Sequence, residues 1–487
     1  MNHRGRRTIA LVLTVAGAAF AALFGASTGT STARHGTMTP AAGSAALYKA
    51  VGQPLAGSAG TVRFSCQTTV PAGCYGPDQI RRAYGIQPLL DHGLNGSGRT
   101  IAIVDAYGSA TIGADLAQFD SVWGLPAPPS FQVVTPFGVD ATDPATTDGW
   151  AGEVSLDVEW AHAVAPNANI VLVVAKSSSD SDILDATQWV SDHNAGDVLS
   201  QSYGEAEQCM DPNDLARQHT LFAKMSQQGI TLFASSGDQG AGQYTCDGSA
   251  YFKAVSTPAS DPYVTSVGGT ALVADGTSGQ YRSESAWNES AIFGDAVAGG
   301  GGLSVLYTRP NYQASIEPGP GVRPSPPTAP RMRAVPDVSY NAGVFTGVIV
   351  VKNGGYYRVG GTSAGSPQWA GIVAIADQLE HGRIGQINPG LYRIGSGPSP
   401  FFHDVKSGDN SIPDLTPYQG ESLGTPIAGY KAGPGYDLVT GLGTPVASTL
   451  VPYLAINGLL SNDSGGSVGP GKGPGPGHGP KGHMHDH

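Results

Sequence analysis

Two acidic residues, Glu153 and Asp157, stand four positions apart in GEVSLDVEWAHAVAP, a stretch that reads as helix. Residues at that spacing share one helix face, and like charges so placed cost a surface helix ~0.2–0.5 kcal/mol. A shared proton removes the repulsion, because two close carboxylates cannot both ionise easily and one pKa rises. Such a pair can accept a proton and hold it. The hydroxyl that could supply one is Ser363, in VGGTSAGSPQWAG. Gly360 and Gly361 permit a sharp turn and the close approach of a carbonyl. Trp369, Ile372, Val373, Ala376 and Leu379 follow at helical spacing, so Ser363 opens a buried helix, where free N–H groups and the positive dipole end favour an oxyanion. The purely structural alternatives are a helix N-cap at Thr362 or Ser363 and a solvated acidic face at Glu153 and Asp157.

No histidine has surroundings suited to deprotonating Ser363: His193 sits in HNAG, and His162 in EWAHAVAP reads as a packed helix residue. A relay of Glu153 as base and Asp157 as its orienter needs none. A third carboxyl, Asp238 in FASSGDQGAGQ, follows a strand at a glycine-flanked turn, where α/β sites gather. Protonated, it can donate a hydrogen bond to an oxyanion; ionised, it repels one, so a site built on it works in acid. Its alternative is an Asx-turn. Asp105 ends the strand IAIVDAYG, either as a plain strand terminus or as a contact of the carboxyl network. Gly361 to Gly365 also satisfies the G-x-S-x-G pattern of an esterase, which would require His381 or His403 as base and leave the three acids without a role.

The elements that must position these groups are legible in outline. The apolar runs in GRTIAIVDAYG and NIVLVVA, then DVLSQSYG at 197–204, ITLFASSGD at 230–238 and YVTSVGGT at 263–270, alternate with helix-length segments. That alternation predicts an α/β fold with a mostly parallel central sheet flanked by helices. The Pro/Gly-rich linkers that separate domains do not interrupt the middle of the chain, so residues 64–456 form one large catalytic domain, with regular structure starting after a short lead over 34–63.

Outside that domain, Arg4, Arg6 and Arg7 precede an apolar run too short for a comfortable membrane span. Residues 1–33 therefore read as a signal peptide, and 457–487 as a Gly/Pro/His-rich disordered tail. Four cysteines in an exported chain imply two disulfides. Chain proximity favours Cys66 with Cys74 and Cys209 with Cys246. Lys and Arg number 26 against 38 Asp and Glu, a net charge of −12, which argues against nucleic acid or an anionic membrane as partner.

GGTSAGSP, GEVSLD and SSGD resemble the three signatures of the sedolisin family, the serine-carboxyl peptidases with a subtilisin-like fold. YGPDQIRRAYGI, STPASDPYVTSVGGTAL, GGGLS and AVPDVSYNA resemble its core segments, and the likeness covers about residues 75 to 450. The resemblance implies Ser363 as nucleophile, Glu153 as general base, Asp157 as its partner and Asp238 as oxyanion-hole acid. FHDVKSGDN and AGPGYDLVTGLGTP resemble the family's calcium region. They imply one Ca2+ held by Asp404, Asp437 and the carbonyls of Val405, Gly433 and Gly435, an all-oxygen shell that suits a hard cation.

Two departures stand out. Relatives carry a large N-terminal propeptide where this chain has a short lead, and Tyr203 occupies a position where many relatives place tryptophan. The combined expectation is a secreted monomer, a single domain acting on protein or peptide substrates as a calcium-dependent acid endopeptidase. The competing expectation is a catalytically silent binding or scaffold protein of the same fold.

Overall fold

The structure, a computed structural model, describes residues 37–40, 47–56, 62–316, 331–395, 399–414 and 426–462. The signal peptide expected over 1–33 and the tail beyond Asn462 lie outside the described residues. Regular structure begins earlier than expected, with the short strands β1 (Thr39–Pro40) and β2 (Tyr48–Ala50) inside the lead. Helices α1 (Pro77–Ala83) and α2 (Gln87–Asp91) follow, each with proline in its first turn, where a fixed φ is already helical.

The run TIAIVDA forms β3 (Thr100–Ala106) and NIVLVVA forms β5 (Asn169–Ala175), in parallel register from Thr100 opposite Asn169 to Ala106 opposite Ala175. Beside them lie β4 (Phe131–Val134) on β5 and β6 (Val198–Gln201) on β3. The stretch expected as one strand over 197–204 is in fact divided. The chain leaves the ladder at Ser202 and resumes as β7 (Tyr203–Ala206), because Ser202 spends its polar groups on the site described below.

The sheet continues through β8 (Thr231–Ser235), past the hairpin of β9 (Gly242–Tyr244) and β10 (Tyr251–Lys253) and the short β11 (Ser256–Thr257). It reaches β12 (Thr265–Ala274) and the antiparallel edge β13 (Tyr281–Ala286). A two-stranded ribbon, β14 (Gly302–Thr308) with β15 (Met332–Val335), precedes β16 (Val338–Asn341), which pairs in parallel with β12. The eight-stranded sheet therefore runs β13-β12-β8-β6-β3-β5-β4, with β16 also on β12, and every pairing except β12 with β13 is parallel. The last hairpin, β17 (Val348–Lys352) with β18 (Gly355–Val359), delivers the chain to Ser363.

Side chains alternate across a strand, and β3 shows what each face packs. Ile101 and Ile103 join the core that holds Val158 and Trp160 of α4 (Pro144–Val164) and Ile372 and Val373 of α8 (Gly365–Glu380). Ala102, Val104 and Ala106 join the other core, with Ile183 and Leu184 of α5 (Asp180–His193) and Leu221 and Phe222 of α6 (Pro212–Gln227). The sheet is thus covered on both faces. On one of them α4 and α8 bring the segments of Glu153 and Ser363 side by side.

Candidate active site

On helix α4, Glu153 and Asp157 have no solvent exposure at all. Asp157 Oδ1 accepts a hydrogen bond from Ser202 Oγ at 2.8 Å, and its Oδ2 has no partner among the described residues. Burial holds the Asp157 carboxyl well above its ordinary pKa; the nearby charge of Asp105 adds to this and the Ser202 hydroxyl opposes it. Buried acids of this kind keep their protons until well above pH 4.

Ser363 is also fully buried, in a single tight turn (Thr362–Ala364) that runs directly into α8. Two glycines make that turn possible. Gly361 has φ of +112°, and a Cβ on Gly360 would stand 2.6 Å from the Ala342 carbonyl oxygen. The Ser363 hydroxyl donates to the Ser202 carbonyl at 3.4 Å. Ser202 therefore touches both sides of the site, through its hydroxyl to Asp157 and through its carbonyl to Ser363.

Asp238 lies just past β8. One of its oxygens accepts from both the backbone N–H (2.8 Å) and the hydroxyl (2.7 Å) of Thr362, the residue before Ser363. Burial outweighs those two bonds and pushes the Asp238 pKa up to about 7. Below that pH the group is neutral, and its second oxygen has no partner among the described residues. Asp105, at the end of β3, is buried with neither oxygen partnered among the described residues; burial and then the charge of Glu153 raise its pKa. The structure thus places Asp105 within electrostatic reach of Glu153 and Asp157 rather than as an isolated strand terminus.

The chain matches the Subtilase family over residues 148–385. Kumamolisin from Bacillus sp. (strain MN-32) is 34% identical over 392 residues, covering 80% of this chain and 65% of that protein. Sedolisin from Pseudomonas sp. (strain 101) is 31% identical over 372 residues, covering 74% of this chain and 58% of that protein. The solved structure of Pseudomonas sedolisin, a serine-carboxyl proteinase complexed with two molecules of pseudo-iodotyrostatin, aligns with a TM-score of 0.64 at 27% identity. That alignment covers 79% of this chain and 98% of that one. The chain belongs to the sedolisin family. It spans about two thirds or less of the length of these curated relatives.

Within this sedolisin-type fold His162, His381 and His403 have other surroundings. His162 Nε2 is 2.8 Å from the Pro126 carbonyl and 3.2 Å from Asp120. His381 caps the far end of α8, a helix ~24 Å long at 1.5 Å per residue, so it cannot serve Ser363. His403 is stacked on Tyr281, with ring centroids 3.7 Å apart. An esterase scheme on G-x-S-x-G therefore loses His381 by distance, and His403 is engaged in that stack.

The two disulfides are those expected, Cys66 with Cys74 and Cys209 with Cys246. In the C-terminal region of this sedolisin-family chain, Asp404 accepts from Gly435 N–H at 3.1 and 3.2 Å, and Asp437 accepts from Gly433 N–H at 2.9 Å. Both carboxylates thus meet the same glycine loop, which brings the segments of Val405, Gly433 and Gly435 together. Burial raises the Asp437 pKa to about 6. No group of three or more His, Cys, Asp or Glu side chains that could hold a metal occurs among the described residues, so an ion here would rely on backbone carbonyls. A two-carboxylate, three-carbonyl oxygen set of that kind fits Ca2+.

Two residues near the site escaped the sequence reading. Ser202 was visible only as part of a strand. Tyr48 comes from the lead: its hydroxyl is buried without a partner among the described residues, and its pKa is raised by burial and then by the charge of Glu153.

Proposed function

We propose that the chain is an acid-acting serine-carboxyl endopeptidase that cleaves protein or peptide substrates through an acyl-enzyme on Ser363. The observation that carries this reading is the histidine-free link from the Ser363 hydroxyl, through Ser202, to the buried Asp157 carboxyl four residues from Glu153. Glu153 takes the hydroxyl proton as Ser363 attacks the scissile carbonyl, with Asp157 sharing the charge on the pair. Neutral Asp238, already tied to Thr362, donates to the oxygen that becomes negative. Glu153 then returns its proton to the leaving amine, and water repeats the sequence to release the acyl group. Protonation of Asp238 up to about pH 7 and the raised Asp157 pKa both favour work in acid.

Asp404, Asp437 and the carbonyls of Val405, Gly433 and Gly435 would hold one Ca2+, which would tie the C-terminal loop to the domain and leave the chemistry to the carboxyls. The reading extends to a secreted monomer, with secretion resting on the arginines and short apolar run within residues 1–33. Hydrolysis of an unfolded protein between pH 3 and 7, by the parent and by Ser363→Ala and Glu153→Gln, tests the proposal. Cleavage by the parent alone supports it. No cleavage at any pH by the parent leaves the scaffold alternative.

A further inference from the structure

The turn that carries Ser363 is held from outside by a segment with no part in the carboxyl relay. The Ala342 carbonyl accepts from Gly361 N–H at 2.7 Å, and a Cβ on Gly360 would stand 2.7 Å from the backbone nitrogen of Val344. Residues 342–344 therefore run in backbone contact with the glycines two and three positions before the nucleophile.

That segment is itself pinned. Glu289, 8% exposed, accepts from Val344 N–H at 2.9 Å, from Phe345 N–H at 3.1 Å and from the Trp287 indole N–H at 3.1 Å. One carboxyl has acceptor sites enough for all three donors. Glu289 also leads directly into a short helix, Ser290–Phe293, so a single residue sets the spacing between Phe345 and that helix.

The side chains so placed are large, apolar and open to solvent. Phe345 is 43% and Ile292 67% exposed, and Phe293, half-buried against the core of α4 and α8, holds its ring 5.7 Å from that of Phe345. The Arg358 guanidinium lies 5.5 Å from the Phe345 ring, and Lys49 Nζ 5.9 Å from the Phe293 ring. Single exposed apolar residues are ordinary on a surface, but a contiguous group on a pinned backbone beside a nucleophile marks a binding surface.

Its place relative to the scissile bond follows from α4. Phe345 stands three residues before β17, and β17 packs on α4: the Trp160 indole donates to the Ile349 carbonyl at 3.0 Å, and Val351 N–H donates to Glu159 at 2.9 Å. Glu153 is on the same helix and, in the peptidase reading, returns its proton to the leaving amine. The leaving half of the substrate therefore faces the side where β17 and Phe345 lie.

We infer that Phe345, Phe293 and Ile292 form a specificity ledge that takes a large apolar side chain from the leaving-group half of the peptide, and that the two flanking cations disfavour Lys or Arg there. The inference rests on the peptidase reading. Apolar contacts of this kind discriminate between side chains by about 10- to 200-fold in kcat/KM.

The test uses alanine-based octapeptides with Phe, Gly or Lys at either of the two residues after the bond cut, the cut being located by mass spectrometry, and a companion series with the same changes before it. At pH 4 the parent should prefer Phe over Gly at least about ten-fold in kcat/KM after the bond, with Lys poorest, and Phe345→Ala should reduce that preference to about two-fold or less. Ile292→Ala serves if the first variant fails to fold. A parent without the preference, a preference unchanged in the folded variant, or one lost only before the bond overturns the inference. Binding of the same peptides, fluorescently labelled, to Ser363→Ala chains with and without Phe345→Ala is read in parallel by anisotropy. If Phe345→Ala removes tighter binding of the Phe peptides and no chain hydrolyses, the ledge stands and the peptidase reading falls. If the chains hydrolyse without discriminating, the ledge falls and the peptidase reading stands. Neither binding nor hydrolysis overturns both.

Discussion

Thr362 gives its backbone N–H and its hydroxyl to one oxygen of Asp238, at 2.8 and 2.7 Å, across 124 residues of sequence. The acid is thereby locked to the turn that carries Ser363, with its second oxygen left unpartnered among the described residues. Two carboxyl roles in the account, base and oxyanion donor, thus sit on separate elements that meet only in the folded chain.

Removing that donor should cost rate rather than binding. Asp238→Ala is expected to lower kcat about 100- to 1000-fold with a small change in KM, as loss of one oxyanion donor does elsewhere. Steady-state kinetics on a peptide substrate at pH 4 check it.

The same residue makes stability depend on pH. The folded state holds the Asp238 proton up to about pH 7, whereas an unfolded chain releases it near its ordinary value of 3.8. Between those limits the folded state binds more protons, so stability falls as pH rises from about 4 to 7, and this contribution is flat outside that window. Raised values at the buried Asp105 and Asp157 act in the same direction. Thermal unfolding should show Tm dropping by several degrees across the window, with a shallower slope in Asp238→Asn.

Ser202 positions the pair. Its hydroxyl bond lowers the Asp157 pKa against the pull of burial, so Ser202→Ala should raise that pKa further. The low-pH limb of kcat then moves to higher pH, and kcat at pH 4 falls about ten-fold. A pH profile of the variant beside the parent reads both, and a merely structural role for Ser202 would leave the limb in place.

The pairing Cys209 to Cys246 closes a loop of 37 residues beside the hairpin of β9 and β10. Replacing both by serine should destabilise the fold by about 2–4 kcal/mol, seen as a lower denaturation midpoint. Chelation of Ca2+ should lower Tm in the parent and do less in Asp437→Ala.

What could be read before folding was mostly local. The spacing of Glu153 and Asp157, the glycine turn before Ser363 and the apolar runs of β3 and β5 all carry their meaning within a few residues, and each element forms as its pattern dictates. The contacts that escaped join distant segments. Ser202 looked like one more strand residue, because nothing in SQSYG announces a bond to Asp157, 45 residues away. Tyr48 lay in a lead of small residues without periodicity, and only the pairing of β2 with β18 brings it beside Gly152.

The central claim is that a carboxyl pair, without histidine, activates Ser363. Its most direct test is kcat/KM from pH 3 to 8 for the parent chain and for Glu153→Gln. The account predicts a maximum below about pH 5 for the first and a loss of about 100- to 10,000-fold for the second. A maximum at neutral pH, or a Glu153→Gln chain that retains its rate, would contradict it.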